Sequence, residues 1–189
     1  LTTMYPKTAK GFHMKAYAYM KNNNLNKALE SIKKAISLSP HSLDISLDYS
    51  NILNSLGNKK DAINILTKFD KEDITDTRVF YNLGCMHMDE NENEIALEYF
   101  KKTLKLDPKN KNASYNIGIS LFNSGNYEKA IEVFTAYQKE FSINYEAERY
   151  ISLSHFSMSN LSEADSSLQK LCVLKPEDPS IWFDRGIVL

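Results

Sequence analysis

Cys85 and His87 are the residues whose types could carry chemistry, because a thiol and an imidazole can act as nucleophile and base or bind a metal. They stand two positions apart in a segment whose apolar spacing predicts a helix. Residues two apart on a helix point to different faces, so we do not expect them to act together. His87 and His155 fall at the core-facing phase of their helices, and we interpret both as structural. Cys85 faces away from the core, and we interpret it as a small surface residue. We interpret Cys172 as a packing residue of another helix.

The other groups with chemical potential are carboxylates. Glu90, Glu92 and Glu94 lie in one polar segment, which we interpret as a solvated turn. The sequence contains no Gly-rich phosphate loop, no G-x-S-x-G elbow and no H-E-x-x-H helix. We therefore expect no catalytic residues, no metal site, no cofactor and no enzymatic activity in this chain.

Composition narrows the class of partner. The 189 residues are 42% hydrophobic and 25% charged, which is typical of a chain that buries a core. The formal net charge is −1, so the chain lacks the excess positive charge that attracts nucleic acid, and we expect no nucleic-acid partner. No run of 18 apolar residues is present, and we expect no membrane partner. Two cysteines make no disulfide framework, which favours a reducing, cytoplasmic location.

A repeat of 34 residues organises the elements that carry these groups. Alanines recur at this spacing five times, and a second series of small residues keeps the same step. Within each period, two stretches with apolar residues at i, i+3, i+4 and i+7 flank a polar turn, which predicts two helices. Small side chains recur because helices that cross 8–10 Å apart need them at the contact. The alanines are Ala28, Ala62, Ala96, Ala130 and Ala164, and the second series is Ala16, Ser50, Gly84, Gly118, Ser152 and Gly186.

The period resembles the tetratricopeptide repeat (TPR). The matching residues in the third period are Leu83-Gly84, Ala96, Phe100 and Pro108. The resemblance implies an all-α fold, a right-handed superhelical solenoid of helix–turn–helix repeats. Departures from the family pattern include Glu148, where an aromatic side chain is common, and Arg185, where leucine is common.

The period sets the expected domain organisation, which is one solenoid with five full repeats and the first helix of a sixth. The sixth segment, which we interpret as a truncated repeat, is expected to expose Trp182, Ile187, Val188 and Leu189. The segments are an N-terminal extension (1–8), repeats at 9–42, 43–76, 77–110, 111–144 and 145–178, and the first helix at 179–189.

The resemblance places a ligand groove along the first helices. The faces of these helices that turn away from the core carry aromatic and amide side chains, which are enriched in binding interfaces. Two other interpretations stay open: the amides can reflect an Asn-rich composition, and the aromatic rings can pack between neighbouring repeats. The predicted peptide-binding residues are Asp48, Asn51, Arg78, Tyr81, Asn82, Tyr115, Asn116, Phe122, Arg149 and Tyr150.

The sequence therefore predicts a non-catalytic scaffold that binds a protein or an extended peptide. The alternative is a substrate-targeting TPR arm of a larger enzyme, for example a glycosyltransferase, whose catalytic domain lies outside these residues. The full-length gene would separate these two hypotheses. A third hypothesis is self-association through the C-terminal end, where apolar side chains of the sixth segment lack a second helix.

Overall fold

The computed structural model describes residues 7–70 and 75–188. Within these ranges the protein forms eleven α-helices and no β-strand, which confirms the predicted all-α, helix–turn–helix fold. The chain divides into two compact units, Leu1–Met86 and His87–Leu189. Most of the predicted N-terminal extension, and Leu189 at the other end, lie outside the described residues.

Unit 1 is built from consecutive helices, each of which buries an apolar stripe. In α2, for example, Ala28, Ile32 and Ala35 are buried at the i, i+4 and i+7 positions. The core of the first helix pair extends to Ile45 and Ile52 of the next helix, so neighbouring repeats share it. The helices are α1 (Ala9–Lys21), α2 (Leu25–Leu38), α3 (Leu43–Ser55), α4 (Lys59–Asp70) and α5 (Thr77–Asp89), whose last turn belongs to unit 2.

Unit 2 repeats the same pattern. Its largest fully buried side chains include Phe100 and Phe134, each on the second helix of a pair. A separate cluster that includes Leu168, Leu171 and Ile181 closes the C-terminal end. The helices are α6 (Asn93–Leu106), α7 (Lys111–Asn123), α8 (Tyr127–Phe141), α9 (Tyr145–Ser157), α10 (Leu161–Leu174) and α11 (Pro179–Val188).

Small side chains lie where helices approach most closely. All five alanines of the 34-residue series are completely buried. A Cβ atom added to Gly118 would lie 2.6 Å from Cζ of Phe134, so this helix contact requires glycine. At the equivalent position in other repeats, the hydroxyls of Ser50 and Ser152 donate to the carbonyl oxygens of Ala62 (3.1 Å) and Ala164 (3.3 Å).

Each first helix begins after a residue suited to capping. The side-chain oxygens of Asn110 and Asn144 accept hydrogen bonds from backbone N–H groups three residues later, which would otherwise lack a partner. Asp76 and Asp178 accept from N–H groups two residues later. The first helices begin 34 residues apart at Ala9, Leu43, Thr77, Lys111, Tyr145 and Pro179.

The turn inside each repeat has one conformation. Its central residue has a positive φ, and the next N–H donates to a carbonyl five residues earlier, at 2.9 Å in every repeat. This is the Schellman arrangement that ends many helices. Glycine adopts it without strain, whereas asparagine and serine adopt it at a cost. The central residues are Asn23 (φ 54°), Gly57 (82°), Asn91 (61°), Gly125 (75°) and Ser159 (62°).

Two of the departures from the family pattern, Glu148 and Arg185, are accommodated by charge pairing. Glu148 is buried, and its carboxylate accepts a hydrogen bond from the Gln138 amide (2.9 Å) and pairs with Lys170 (2.9 Å). Arg185 Nε donates to Asp165 Oδ1 at 2.6 Å, and this hydrogen bond is the main cause that lowers the pKa of Asp165.

The end of α11 differs in one respect from the expectation. Trp182 and Ile187 are exposed, as expected. Val188 is buried, because it packs into the core cluster with Leu168 and Ile181. The prediction for Val188 was therefore wrong, since a first helix still has the preceding repeat on one side.

Candidate functional site

Unit 1 has an open cavity of about 490 Å³ formed by α1, α3 and α5. Two of the predicted groove residues, Asp48 and Arg78, lie in its wall. Met14 and Tyr17 also line it and are half exposed, although the sequence analysis did not select them. Their position at the same repeat phase as Asp48 and Asn51 was the signal that could have identified them. The remaining lining residues are His13, Ala18, Asp44 and Leu47.

Hydrogen bonds and ion pairs hold the polar side chains of this cavity. His13 Nε2 lies 2.7 Å from Asp48 Oδ2. The Arg78 guanidinium pairs with Asp44 (2.9 Å) and with Asp76 (2.7 Å). Hydrogen bonding from Arg78 lowers the pKa of the Asp76 carboxyl, and the same pairing raises the pKa of Arg78. Arg78 and Asp44 are largely exposed, so their pair orients side chains more than it stabilises the fold.

The predicted amide positions of unit 1 lie beside one another. Asn82 Nδ2 donates to Asn51 Oδ1 at 3.3 Å, and both side chains are half buried. Tyr81 is also half buried on the same helix. An amide has two donor hydrogens and one acceptor oxygen, so each of the paired amides has further hydrogen-bonding capacity. α3 and α5 therefore present polar groups of the kind that pair with peptide main chain.

Unit 2 brings three predicted groove residues into an aromatic cluster. The Tyr115 ring lies 5.5 Å from Phe134 and 6.3 Å from Tyr150, between ring centroids. Tyr150 stacks on Phe134 at 5.1 Å, and Phe122 meets it edge-on at 5.2 Å. Burial, with smaller contributions from Tyr150 and Glu146, raises the pKa of Tyr115 to about 12. These contacts are the packing between repeats that the sequence left open, and ligand contact by the remaining ring surface stays a prediction.

The last predicted residues lie nearby on α7 and α9. Asn116 is half buried on α7. Arg149 is exposed on α9 and lines a second cavity, of about 90 Å³, together with side chains of α10 and α11. Leu153, Phe156 and Ile187 of this cavity were not among the predicted peptide-binding residues. They occupy the same positions in the 34-residue period as outward-facing residues of the other first helices, and this spacing could have identified them.

The residues considered for chemistry are held in structural contacts. The His87 ring stacks on Tyr99 with centroids 5.4 Å apart, and its Nδ1 lies 2.5 Å from Glu92 Oε2. Glu92 is therefore a turn carboxylate that orients an imidazole. Cys85 is half buried and forms no disulfide bond within the described residues. Over residues 7–70 and 75–188, no cluster of three or more His, Cys, Asp or Glu side chains is placed to hold a metal ion.

Family models match most of the chain. Residues 3–112 match the model described as the TPR domain of cytochrome c-type biogenesis protein H. Residues 87–142 match a tetratricopeptide repeat model. The chain belongs to the tetratricopeptide repeat family. Its sequence matches no curated protein. In the part of this TPR chain that the structure describes, no helix is long and apolar enough to cross a membrane.

Solved structures show the same TPR fold at low sequence identity. A tetratricopeptide repeat protein from Parabacteroides merdae is 18% identical, with a TM-score of 0.85 over 97% of this chain and 73% of its own. YrrB is 19% identical, with a TM-score of 0.81 over 95% of this chain and 93% of its own. MamA from Desulfovibrio magneticus is 15% identical, with a TM-score of 0.83 over 92% and 98%. These similarities concern the fold alone.

Proposed function

We propose that this TPR chain is a non-catalytic scaffold that holds an extended segment of a partner protein against the outward faces of its first helices. The observation that carries the proposal is the mixed surface of the unit 1 cavity. Met14 and Tyr17 each expose 51% of their surface there, beside the charged groups of Asp48 and Arg78. A helix face that meets only water is mostly charged. YrrB is described as a TPR protein with an unusual peptide-binding site, which supports a peptide as the ligand.

The geometry suits recognition by two kinds of contact. Burial of the exposed Met14 and Tyr17 side chains under a partner would supply the hydrophobic contribution. The oriented carboxylate of Asp48 and the Asn51–Asn82 amide pair would supply hydrogen bonds to peptide groups. The ligand is therefore expected to be extended and of mixed polarity.

Site-specific photo-crosslinking tests the proposed surface. A photoreactive amino acid replaces Tyr17 on first helix α1, and in a matched control it replaces the exposed Leu38 on second helix α2. The chain is then exposed to a lysate of its source organism, and crosslinked partners are identified by mass spectrometry. We expect a partner that is captured at position 17 and not at position 38. Equal capture at both positions would contradict a site on the first-helix face.

A pair of serine variants gives an independent readout of the same surface. Met14→Ser with Tyr17→Ser should release the partner identified by crosslinking, because the apolar contact is lost. Leu38→Ser carries a similar loss of exposed apolar surface on a second helix and should retain the partner. Circular dichroism confirms that each variant is folded. A partner that both variants retain would place binding on another surface.

A second candidate follows from the family model for residues 3–112, which describes a domain of a cytochrome c-type biogenesis protein. The ligand would then be a segment of a protein handled in that process. Titration with a haem-free c-type cytochrome polypeptide tests it directly, with the Met14→Ser and Tyr17→Ser variant as the control for site. Binding that is absent at all concentrations of polypeptide, while the crosslinked partner still binds, would remove this candidate.

A further inference from the structure

The second cavity, between α9 and α11 in unit 2, has the properties of a subsite for one apolar side chain. It holds about 90 Å³. On this measure one water molecule needs only about 10–15 Å³, so the cavity has room for an aliphatic side chain. Leu153 and Phe156 of α9 and Ile187 of α11 form apolar parts of its wall. Phe156 exposes 43% and Ile187 55% of their surface, so an incoming side chain would remove exposed apolar area from water.

The charge beside this cavity is available to a ligand. Arg149 lines the cavity and is exposed, and within the described residues it makes no hydrogen bond or ion pair. The other two arginines are both paired, Arg78 with aspartates of unit 1 and Arg185 with Asp165. A guanidinium binds a carboxylate through two parallel N–H donors, which makes a carboxylate the complementary group.

The same cavity has an acceptor as well as a donor. Asp184 of α11 lines it and forms no ion pair with Arg149. A main-chain N–H of an extended peptide is a suitable donor to this carboxylate. Phe183 exposes 71% of its surface and is four residues before Ile187, so both lie on one face of α11. The apolar surface therefore continues past the cavity, which favours a ligand chain that runs on rather than one that ends there.

We propose that this cavity binds an internal segment of an extended peptide, in which an aliphatic side chain fills the cavity and a neighbouring Asp or Glu side chain pairs with Arg149. This inference rests on the proposed scaffold function and names the class of peptide that unit 2 selects.

Defined peptides test the selection. Fluorescein-labelled octapeptides with blocked ends and Gly/Ser flanks carry a central Leu-Glu, Leu-Gln, Ala-Glu or Leu-Lys, and fluorescence anisotropy with the whole chain gives each Kd. We expect Leu-Glu to bind about tenfold more tightly than Leu-Gln and Ala-Glu, and Leu-Lys to bind most weakly. Equal affinity across the series would overturn the proposal. A peptide that ends in Leu with a free carboxylate, and binds as the only tight ligand, would overturn the internal position.

Matched variants assign the selection to the named residues. Arg149→Gln should abolish the preference for Glu over Gln, and Arg149→Lys should restore part of it. Lys139→Gln makes the same charge change at an exposed site on α8 and should leave the preference unchanged. Ile187→Ala should weaken Leu-Glu several-fold, whereas Ile143→Ala, at another exposed isoleucine, should not. A preference for Glu that survives Arg149→Gln would overturn the proposal.

The outcomes separate this inference from the proposed function. If no octapeptide binds selectively while Tyr17 still crosslinks a partner, the subsite is wrong and the scaffold function stands. If analytical ultracentrifugation shows a dimer that Ile187→Ala dissociates, a second copy of the chain occupies this surface and the peptide subsite is wrong.

Discussion

The contact between Gly118 and Phe134 predicts a destabilising effect from the smallest possible substitution. In Gly118→Ala, the new methyl group would lie 2.6–2.9 Å from three atoms of the Phe134 ring. Overpacking of this kind costs about 1–3 kcal/mol. Alanine also favours a helix over glycine by about 1 kcal/mol. The two contributions oppose each other, and we expect a net loss of about 1 kcal/mol in the free energy of unfolding.

Gly186→Ala is the matched control, because Gly186 occupies the same repeat position with no atom within 4 Å of the added methyl group. Only the helix preference remains, so this variant should gain up to about 1 kcal/mol, less if the end of α11 frays. Both residues belong to unit 2, so the two variants are compared within the same compact unit. Urea unfolding followed by far-UV circular dichroism gives both values.

Two results would refute this reasoning. The first is a stabilised Gly118→Ala, which would mean that the ring moves aside at little cost. The second comes from a double-mutant cycle with Phe134→Leu. Removing the ring should make Gly118→Ala less harmful, and an unchanged effect would show that the close approach is not the reason for glycine.

The turns and charge pairs give further predictions. Ser159→Gly should stabilise unit 2 by about 0.5 kcal/mol and Gly125→Ala should destabilise it by about 1 kcal/mol in urea unfolding, because both residues have a positive φ. Asp165→Asn should lower Tm at neutral pH. Since the folded pKa of Asp165 is lowered, this stabilisation is complete above the unfolded pKa of about 3.9 and is lost as the pH falls through the folded value, so the difference in Tm should shrink below about pH 4. Lys170→Met should cost about 2 kcal/mol in urea unfolding and Glu148→Gln about 1, because only the former leaves a buried charge without its cation, and the reverse order would contradict this pairing.

The fold could be predicted because individually weak features of the sequence recur at the same positions of every 34-residue period. No single alanine specifies a helix crossing, but Ala28, Ala62 and Ala96 at one spacing do, and all three are fully buried. The turns were predicted less completely. Gly57 and Gly125 indicate a turn with a positive φ. Ser159 also has a positive φ, but a serine in the sequence does not predict this conformation. There the shared hydrogen-bond pattern of the repeat overrides the residue's own preference.

The sequence predicts which helix face carries the candidate site, but it does not predict what each side chain on that face contacts. Phase alone assigns Tyr115 and Tyr150 to the outward side of their helices. Whether such a ring meets a ligand or the next repeat depends on the distance between helices, and here both rings pack around Phe134. Arg149 has the same phase as Tyr115, yet the structure leaves its charge unpaired among the described residues, which no sequence pattern distinguishes.

Hydrogen bonds between neighbouring repeats have a consequence for how the chain folds. Among the described residues, those between side chains connect positions no more than 36 apart, as in the Ser50–Met86 contact (36), the His13–Asp48 contact (35) and the Gln138–Glu148 contact (10). Short loops cost little entropy to close, and a chain with such local contacts is expected to fold fast. Each helix pair can then add to the one before it, with stability summed from repeat to repeat. A destabilising substitution in one repeat should therefore unfold the neighbouring repeats first and leave more distant repeats folded.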